Sequence, residues 1–375
     1  MLGPALSTTY GWKAPETEAA YARAHELCQE LNEEQLAPTT VYGLALMHEF
    51  RGDFDRAQEL LTPGLEQPDA ETTVAYRELM ACSTFHQGRF TESIAHADRG
   101  IELTDPDLVQ SFAVHHGEHP TVHNEGWAAM SLWFLGDAGR ALERADGAVA
   151  LSDSHMFSKS FAQLVLAYIH QFQRDAVGAR RFAEATIELS TDLGFPVRVS
   201  QAQVLRGWAR AVADRDPDGV AELREGLSGC ERAGALLDYP YYLGLLAEAA
   251  ACTGDAGTAL ATIDEALSVA QSAHGFFFEP ELHRLCGMML LEAADGPRAS
   301  EAEASFERGL ALASSQQSRT LELRSAVSLA RSWSRHGRSK EALALIEPIR
   351  AAFPATARTI DLEEADALLT ELRSG

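Results

Sequence analysis

The chain has 375 residues, 46% hydrophobic and 23% charged, and 55 acidic against 31 basic side chains give a formal net charge of −24. That balance argues against nucleic acid or an anionic membrane as partner, because both demand a basic footprint. The five cysteines, Cys28, Cys82, Cys230, Cys252 and Cys286, are scattered and never spaced CxxC. This speaks against a zinc ribbon or a disulfide framework and fits a reduced, cytoplasmic setting. No window approaches the roughly 18 uncharged apolar residues of a membrane span, and the opening MLGPALSTTYGWKAPETE lacks the pattern of a signal peptide.

In chain order, KAPETEAAYARAHELCQEL from Lys13 reads as an N-terminal helix, with a cap over residues 1–37. A self-similar unit then recurs. It appears in HEFRGDFDRAQELL from His48, FHQGRFTESIAHADRGIEL from Phe85, WFLGDAGRALERADGAVAL from Trp133, CTGDAGTALATIDEAL from Cys252 and SRHGRSKEALALIEPI from Ser334. Each copy has a helical run, a glycine (Gly52, Gly88, Gly136, Gly254, Gly337), then a second amphipathic run. The glycines lie 36, 48, 118 and 83 residues apart, the last two gaps being close to three and two units of about 40 residues. Weaker copies fill those gaps from Gln171, Ala211 and Leu291, so about eight helical hairpins fit over 38–353, followed by a C-terminal cap over 354–375.

The turn has a physical rationale. Glycine closes the first helix in the left-handed conformation without a Cβ penalty, and the Asp that often follows caps the second helix. Small residues (Ala57, Ala95, Ala141, Ala259, Ala342) allow close helix approach. GFPVR from Gly194, DYPYY from Asp238 and HGFFFEPEL from His274 place proline near the start of new first helices, where its missing N–H costs little. A single hairpin cannot bury its apolar stripe alone, which predicts an all-α, right-handed solenoid in one domain over 1–375.

These hairpins resemble tetratricopeptide-like repeats in a lengthened form. LGPALSTTYGWKAPETEAAYARAHELC, RGWARAV, YYLGLLAEAAACTGDAGTAL, EPELHRLCGMMLLEA and TLELRSAVSLARSW are together similar to the C-terminal repeat region of large bacterial signalling proteins that join a cyclase-like domain, an NTPase domain and a helical tail. The resemblance implies an interaction or signal-sensing module. Neither catalytic activity carries over, since GxxxxGK[ST] and cyclase sequences are absent from this chain.

One stretch crowds reactive residue types together: HHGEHPTVHNEGW, from His115 to Trp127. His115, His119 and His123 are weak candidates for a metal, since imidazole and carboxylate suit zinc, nickel or iron. HExxH is absent and Gly117 and Pro120 interrupt the run, which favours a long loop of the H-x-G-x-x-P form that the related repeat regions also carry, with His123 starting the next helix. No metal or other cofactor is expected.

First helices of such hairpins line the concave face, so their aromatic and charged residues are the candidate contacts. The aromatic candidates are Trp127, Phe161, Tyr168, Trp208, Tyr241, Tyr242 and Phe277, with Tyr42 and Tyr76 beside them. The polar candidates are Arg198, Gln201, Glu281, Arg284 and Arg324, with His86 and Arg206. The charged members are equally able to pair with neighbouring glutamates, and the aromatics to pack as core. GxSxG and other nucleophile patterns are absent. The leading expectation is therefore a non-catalytic scaffold that binds a protein or peptide in its groove. The alternative is a small molecule enclosed by the superhelix and sensed there, and the third reading is an enzyme around His115, His119 and His123. An open groove favours the first, one deep enclosed pocket the second.

Overall fold

The structure, a computed structural model, describes residues 15–31, 37–272, 275–292 and 298–374. The expected opening stretch before Pro15, His274 and the weak turn at 293–297 lie outside the described residues. Those described form α-helices joined by short turns, with no strand among them. After α1 (Pro15–Leu31) come the pairs α2 (Ala37–Phe50) with α3 (Phe54–Leu61), and α4 (Ala70–His86) with α5 (Phe90–Leu103). A lone helix, α6 (Pro106–His115), precedes α7 (Pro120–Phe134) with α8 (Ala138–Leu151) and α9 (Met156–Phe172) with α10 (Ala176–Leu193). The series continues with α11 (Pro196–Asp214) and α12 (Pro217–Ala233), α13 (Tyr239–Cys252) and α14 (Ala256–Ser272), and α15 (Glu279–Leu291) and α16 (Ala299–Ser315). It ends with α17 (Arg319–Arg335), α18 (Ser339–Ala351) and the closing α19 (Ile360–Ser374). Among the described residues no helix is long and apolar enough to cross a membrane.

The turns follow their expected chemistry. Gly52, Gly136 and Gly254 take φ of +77°, +91° and +92°, and the next residues, Asp53, Asp137 and Asp255, accept from the backbone N–H of Arg56, Arg140 and Thr258. In two weaker copies Arg174 and Arg215 occupy the left-handed position themselves, at φ +60° and +52°. One small-residue assignment changes. Ala95 is exposed, and Ser93 sits at the close approach instead, buried with its hydroxyl donating to the Ala81 carbonyl. The extra residues in the 48-residue interval also differ from expectation: most of them form α6, so His115 ends a helix rather than lying in a long loop. The apolar spacing of DLVQSFAV is short and was readable only as part of that connection.

Helices α11 and α12 touch backbone to backbone. A Cβ on Gly207 would fall 2.6 Å from the Gly219 carbonyl oxygen, and one on Gly226 2.7 Å from that of Ser200. This close seam brings the start of α11, with Arg198 and Gln201, inward.

The interior of the superhelix is partly filled. Phe276, Phe277 and Phe278, in the segment before α15, are buried to 2% exposure or less. The Phe277 ring lies 4.7 Å from Phe85, 5.5 Å from Phe134, 6.3 Å from Phe172 and 5.8 Å from Tyr241, centroid to centroid. Its backbone N–H donates to the His86 carbonyl at 2.8 Å. Residues of early and late repeats thus meet around one ring. We expect Phe277→Ala to destabilise the chain by about 3–5 kcal/mol through the cavity it leaves, read as a lower denaturant midpoint. A loss under about 1 kcal/mol would mean that the ring is not a packing centre.

Candidate functional site

Beside the Phe277 plug the inner faces of α2, α4, α7, α9 and α11, with the end of α12 and the segment before α13, line a cavity of about 630 Å³ that opens to solvent past Gly194, Pro196 and Arg232. Period-3.6 placement of inward residues explains its lining. Trp127, Phe157, Phe161 and Tyr168 give one aromatic wall, Arg198, Gln201, Arg232 and Asp238 another side, and Glu49, Glu78, Glu118 and His123 an acidic wall.

The acidic wall is dry and closely spaced. His123 Nδ1 lies 3.2 Å from Glu78 Oε1 and 3.2 Å from Glu118 Oε2. The Tyr42 hydroxyl donates to Glu118 Oε1 at 3.0 Å, and the Ser83 hydroxyl donates to Glu49. The imidazole of His123 stacks on Phe161 at 4.2 Å, while the Arg198 guanidinium sits 5.1 Å above the same ring and donates to Gln201 Oε1 at 3.1 Å. Burial favours neutral forms. It pushes Glu78 up to about 7 and both Glu49 and Glu118 to about 8, and holds His123 down at about 4. Repulsion from Glu78 adds to the rise at Glu118.

Four of the lining residues carry a buried polar atom with no hydrogen-bond partner in the protein: Glu49 Oε2, Glu78 Oε2, His123 Nε2 and Trp127 Nε1. Unpartnered buried polar atoms are rare and costly. Here they lie beneath the surface of one cavity wall rather than on it.

The sequence candidates divide into groups. His123, Trp127, Phe161, Tyr168, Arg198, Gln201 and Phe277 all reach the cavity, as does Tyr42. Tyr242 stands behind Tyr168, and the two hydroxyls meet over Asp238, to which Tyr168 donates at 2.9 Å. His86 Nε2 contacts the other oxygen of Asp238 at 3.1 Å. Tyr241 is fully buried and donates to Gln171 Oε1, and Trp208 is buried with its indole N–H on Glu248. Both pack as core rather than facing the cavity.

Glu281, Arg284 and Arg324 form a separate buried network. Arg284 donates through two nitrogens to Glu281 at 2.9 Å, and Arg324 Nε donates to Asp361 Oδ1 at 2.7 Å. Arg206 pairs with Glu222, and Tyr76 donates to the Pro38 carbonyl.

The three histidines do not converge. His115 is exposed and bonded to Glu71, His119 caps α7 with its N–H on Ser158 Oγ, and His123 alone lines the cavity. Sequence reasoning missed Glu49, Glu78 and Asp238. The available signal was an acid on the inward side of a first helix next to apolar residues, as in ALMHEF and YRELMACS.

No protein-family model matches the chain. A curated relative from Rhizobium meliloti (strain 1021), itself uncharacterized, is 25% identical over 338 residues, covering 86% of this chain; the chain spans 32% of that relative's length. Among solved structures, a Rap protein complexed with competence and sporulation factor superposes with TM-score 0.52 at 10% identity, covering 90% of this chain and 97% of its own. A monomeric IFIT1 mutant with Gppp-AAAA gives TM-score 0.50 at 12% identity, covering 96% and 77%. The chain has the all-helical, tetratricopeptide-like repeat fold. Repeat folds of this class serve as binding scaffolds.

Glu49 yields a pH prediction. Its folded-state value, about 8, lies above the model-compound 4.5. The stability its protonated form contributes is therefore fully present below pH 4.5 and lost as pH rises through about 8. Glu49→Gln should flatten the fall in unfolding free energy between about pH 5.5 and 7.5, where the limiting slope is about 1.4 kcal/mol per pH unit for one proton. Identical slopes for wild type and variant in denaturant titrations would contradict this assignment.

Proposed function

We propose that the chain is a non-catalytic ligand-binding module that encloses a small organic molecule with an apolar body and hydrogen-bonding groups. The observation that carries this reading is one deep, aromatic-walled cavity whose lining residues include four with a partnerless buried polar atom. Ligand sites are typically concave, mostly apolar and supplied with a few placed polar groups, and about 300–1,000 Å³ is their usual size. An indole N–H is a donor only, whereas the two carboxyl oxygens and the imidazole nitrogen can accept. A complementary ligand carries groups of both kinds.

This order reverses the one favoured by the sequence, which put a peptide in an open groove first. The Phe277 plug fills the interior beside the cavity, so an extended chain finds no continuous track through it. The solved Rap protein and the IFIT1 mutant are each complexes, with competence and sporulation factor and with Gppp-AAAA, and ligand binding by this chain is in keeping with its cavity. The regulatory role is part of the same proposal: the chain acts as a sensing region, in a cytoplasmic setting, that reports occupancy of its cavity to an effector.

A thermal-shift screen of the full chain against small organic molecules, run beside unstructured peptides too long for the cavity, tests the reading. Small molecules should raise Tm. Trp127→Phe, which deletes one donor worth about 1 kcal/mol, should weaken any such ligand about fivefold by calorimetry, and Phe161→Ala should weaken it more. Long peptides binding where small molecules do not, or ligands indifferent to both substitutions, would overturn it.

A further inference from the structure

The acidic wall of the cavity has the makings of a metal site in which two residues of the histidine-rich stretch, Glu118 and His123, meet a third from another helix, Glu78. We propose that Glu78 on α4, Glu118 in the turn before α7 and His123 on α7 hold one divalent transition-metal ion, with an open coordination position facing the cavity.

Geometry comes first. One ligand atom from each residue lies within 4.8 Å of the other two. The His123 Nδ1 to carboxylate distances are both 3.2 Å. Donors around a tetrahedral zinc, at metal distances of about 2.0–2.1 Å, stand roughly 3.3–3.4 Å apart, so the three groups need to move little to share an ion. The three side chains are at most 7% exposed. Catalytic and ligand-binding metal sites commonly supply three protein donors and leave the fourth position free, and all three residues line the cavity.

The partner count points the same way. An imidazole nitrogen carries one proton or one lone pair, so Nδ1 can serve only one of the two carboxylates well. Glu78 Oε2, independently, is buried without any partner in the protein. Two carboxyl groups side by side in a dry wall repel each other once ionised, and a shared cation turns that repulsion into attraction. The titratable and charged groups that face the site are Glu49, Glu78, Glu118 and Arg198, with Asp238 and Arg232 on the same lining. A bound cation takes the place of the protons that buried carboxyls otherwise hold.

An imidazole with two carboxylates suits zinc, iron, cobalt, nickel or manganese better than a soft monovalent ion. The ion would carry no redox or transfer step in this proposal. It would anchor a donor group of whatever enters the cavity. The inference stands apart from the reading of the cavity as a ligand site, because metal binding is measured without any organic ligand.

The test uses the full chain, treated with chelator and titrated with Co²⁺ and then Zn²⁺. We expect one Co²⁺ per chain with the intense visible bands of a four-coordinate site, displacement by Zn²⁺, and a rise in Tm with either ion. Glu118→Gln and His123→Gln should each weaken Co²⁺ binding at least tenfold, while His115→Ala, which alters the exposed histidine outside the cavity, should leave it unchanged. The wild-type spectrum decides the matter even where a variant fails to fold. A chain that binds no Co²⁺, and so holds a hydrogen-bonded cluster only, overturns the proposal. So does binding that survives Glu118→Gln but is lost in His115→Ala.

Discussion

The structure depends on what closes the inner ends of its first helices. The last carbonyls of a helix have no partner within it and must find one elsewhere. In this chain the late repeats supply several. The His86 carbonyl at the end of α4 accepts from Phe277 N–H, and the Trp133 and Phe134 carbonyls at the end of α7 accept from the hydroxyls of Thr320 and Ser318. The Phe172 carbonyl at the end of α9 accepts from Arg324. Each of these bonds spans well over a hundred residues of sequence. They turn a stack of neighbours, which could remain open, into a superhelix whose end caps its beginning. The aromatic cluster around Phe277 then has a fixed frame to pack in, and the cavity a fixed floor.

Two buried groups of charges inside this frame illustrate opposite outcomes. Around Arg324, three guanidiniums face three carboxylates: Arg284 with Glu281, Arg324 with Asp361, and Arg174 with Asp361 and Glu364. Here Glu281 is held below its ordinary range, mainly by Arg284 and Arg324 against the opposing effect of burial. That network is matched in charge, so it reads as structural, fastening α19 to α15 and α17. The acidic wall of the cavity is not matched. Three carboxyls there have Arg198 as their nearby guanidinium, burial drives their proton affinity up, and individual oxygens go without partners. A fold can keep such a wall only where occupancy or protonation compensates it.

What the sequence disclosed was what is local. Glycine at +77° before a capping Asp, or proline in a first turn, is determined by its own few neighbours, and those positions are readable from sequence spacing alone. Inward aromatics such as Trp127, Phe161 and Tyr168 were also legible, because the first helices of a hairpin stack share one inner side. Trp208 and Tyr241 share that helical context yet pack into the core, since which inner residues face the cavity depends on the plug, a contact made from far along the chain. Of the phenylalanines in HGFFFEPEL the sequence singled out Phe277 alone, as a groove contact, and its place as the plug was hidden for the same reason. The histidine stretch misled in the opposite direction: proximity in sequence put four histidines together, and helix geometry sent His115 and His119 away from His123.

The site itself arises where the repeat is broken. Most copies pass from one pair to the next through a short turn, but α6 intervenes between α5 and α7. His116 at its end stacks on Phe112 at 4.2 Å and meets Tyr42 edge-on at 4.9 Å, anchoring that end against α2. Gly117, at φ +77°, then reverses the backbone before Pro120 opens α7. Between them the chain has one position that is carried inward, and Glu118 occupies it, within reach of both Tyr42 and His123. Without the inserted helix, α5 would lead directly to α7 and no residue of the connection would reach the wall opposite Glu78. The irregular interval between the second and third glycines is thus the feature that gives an otherwise generic stack its distinctive chemistry.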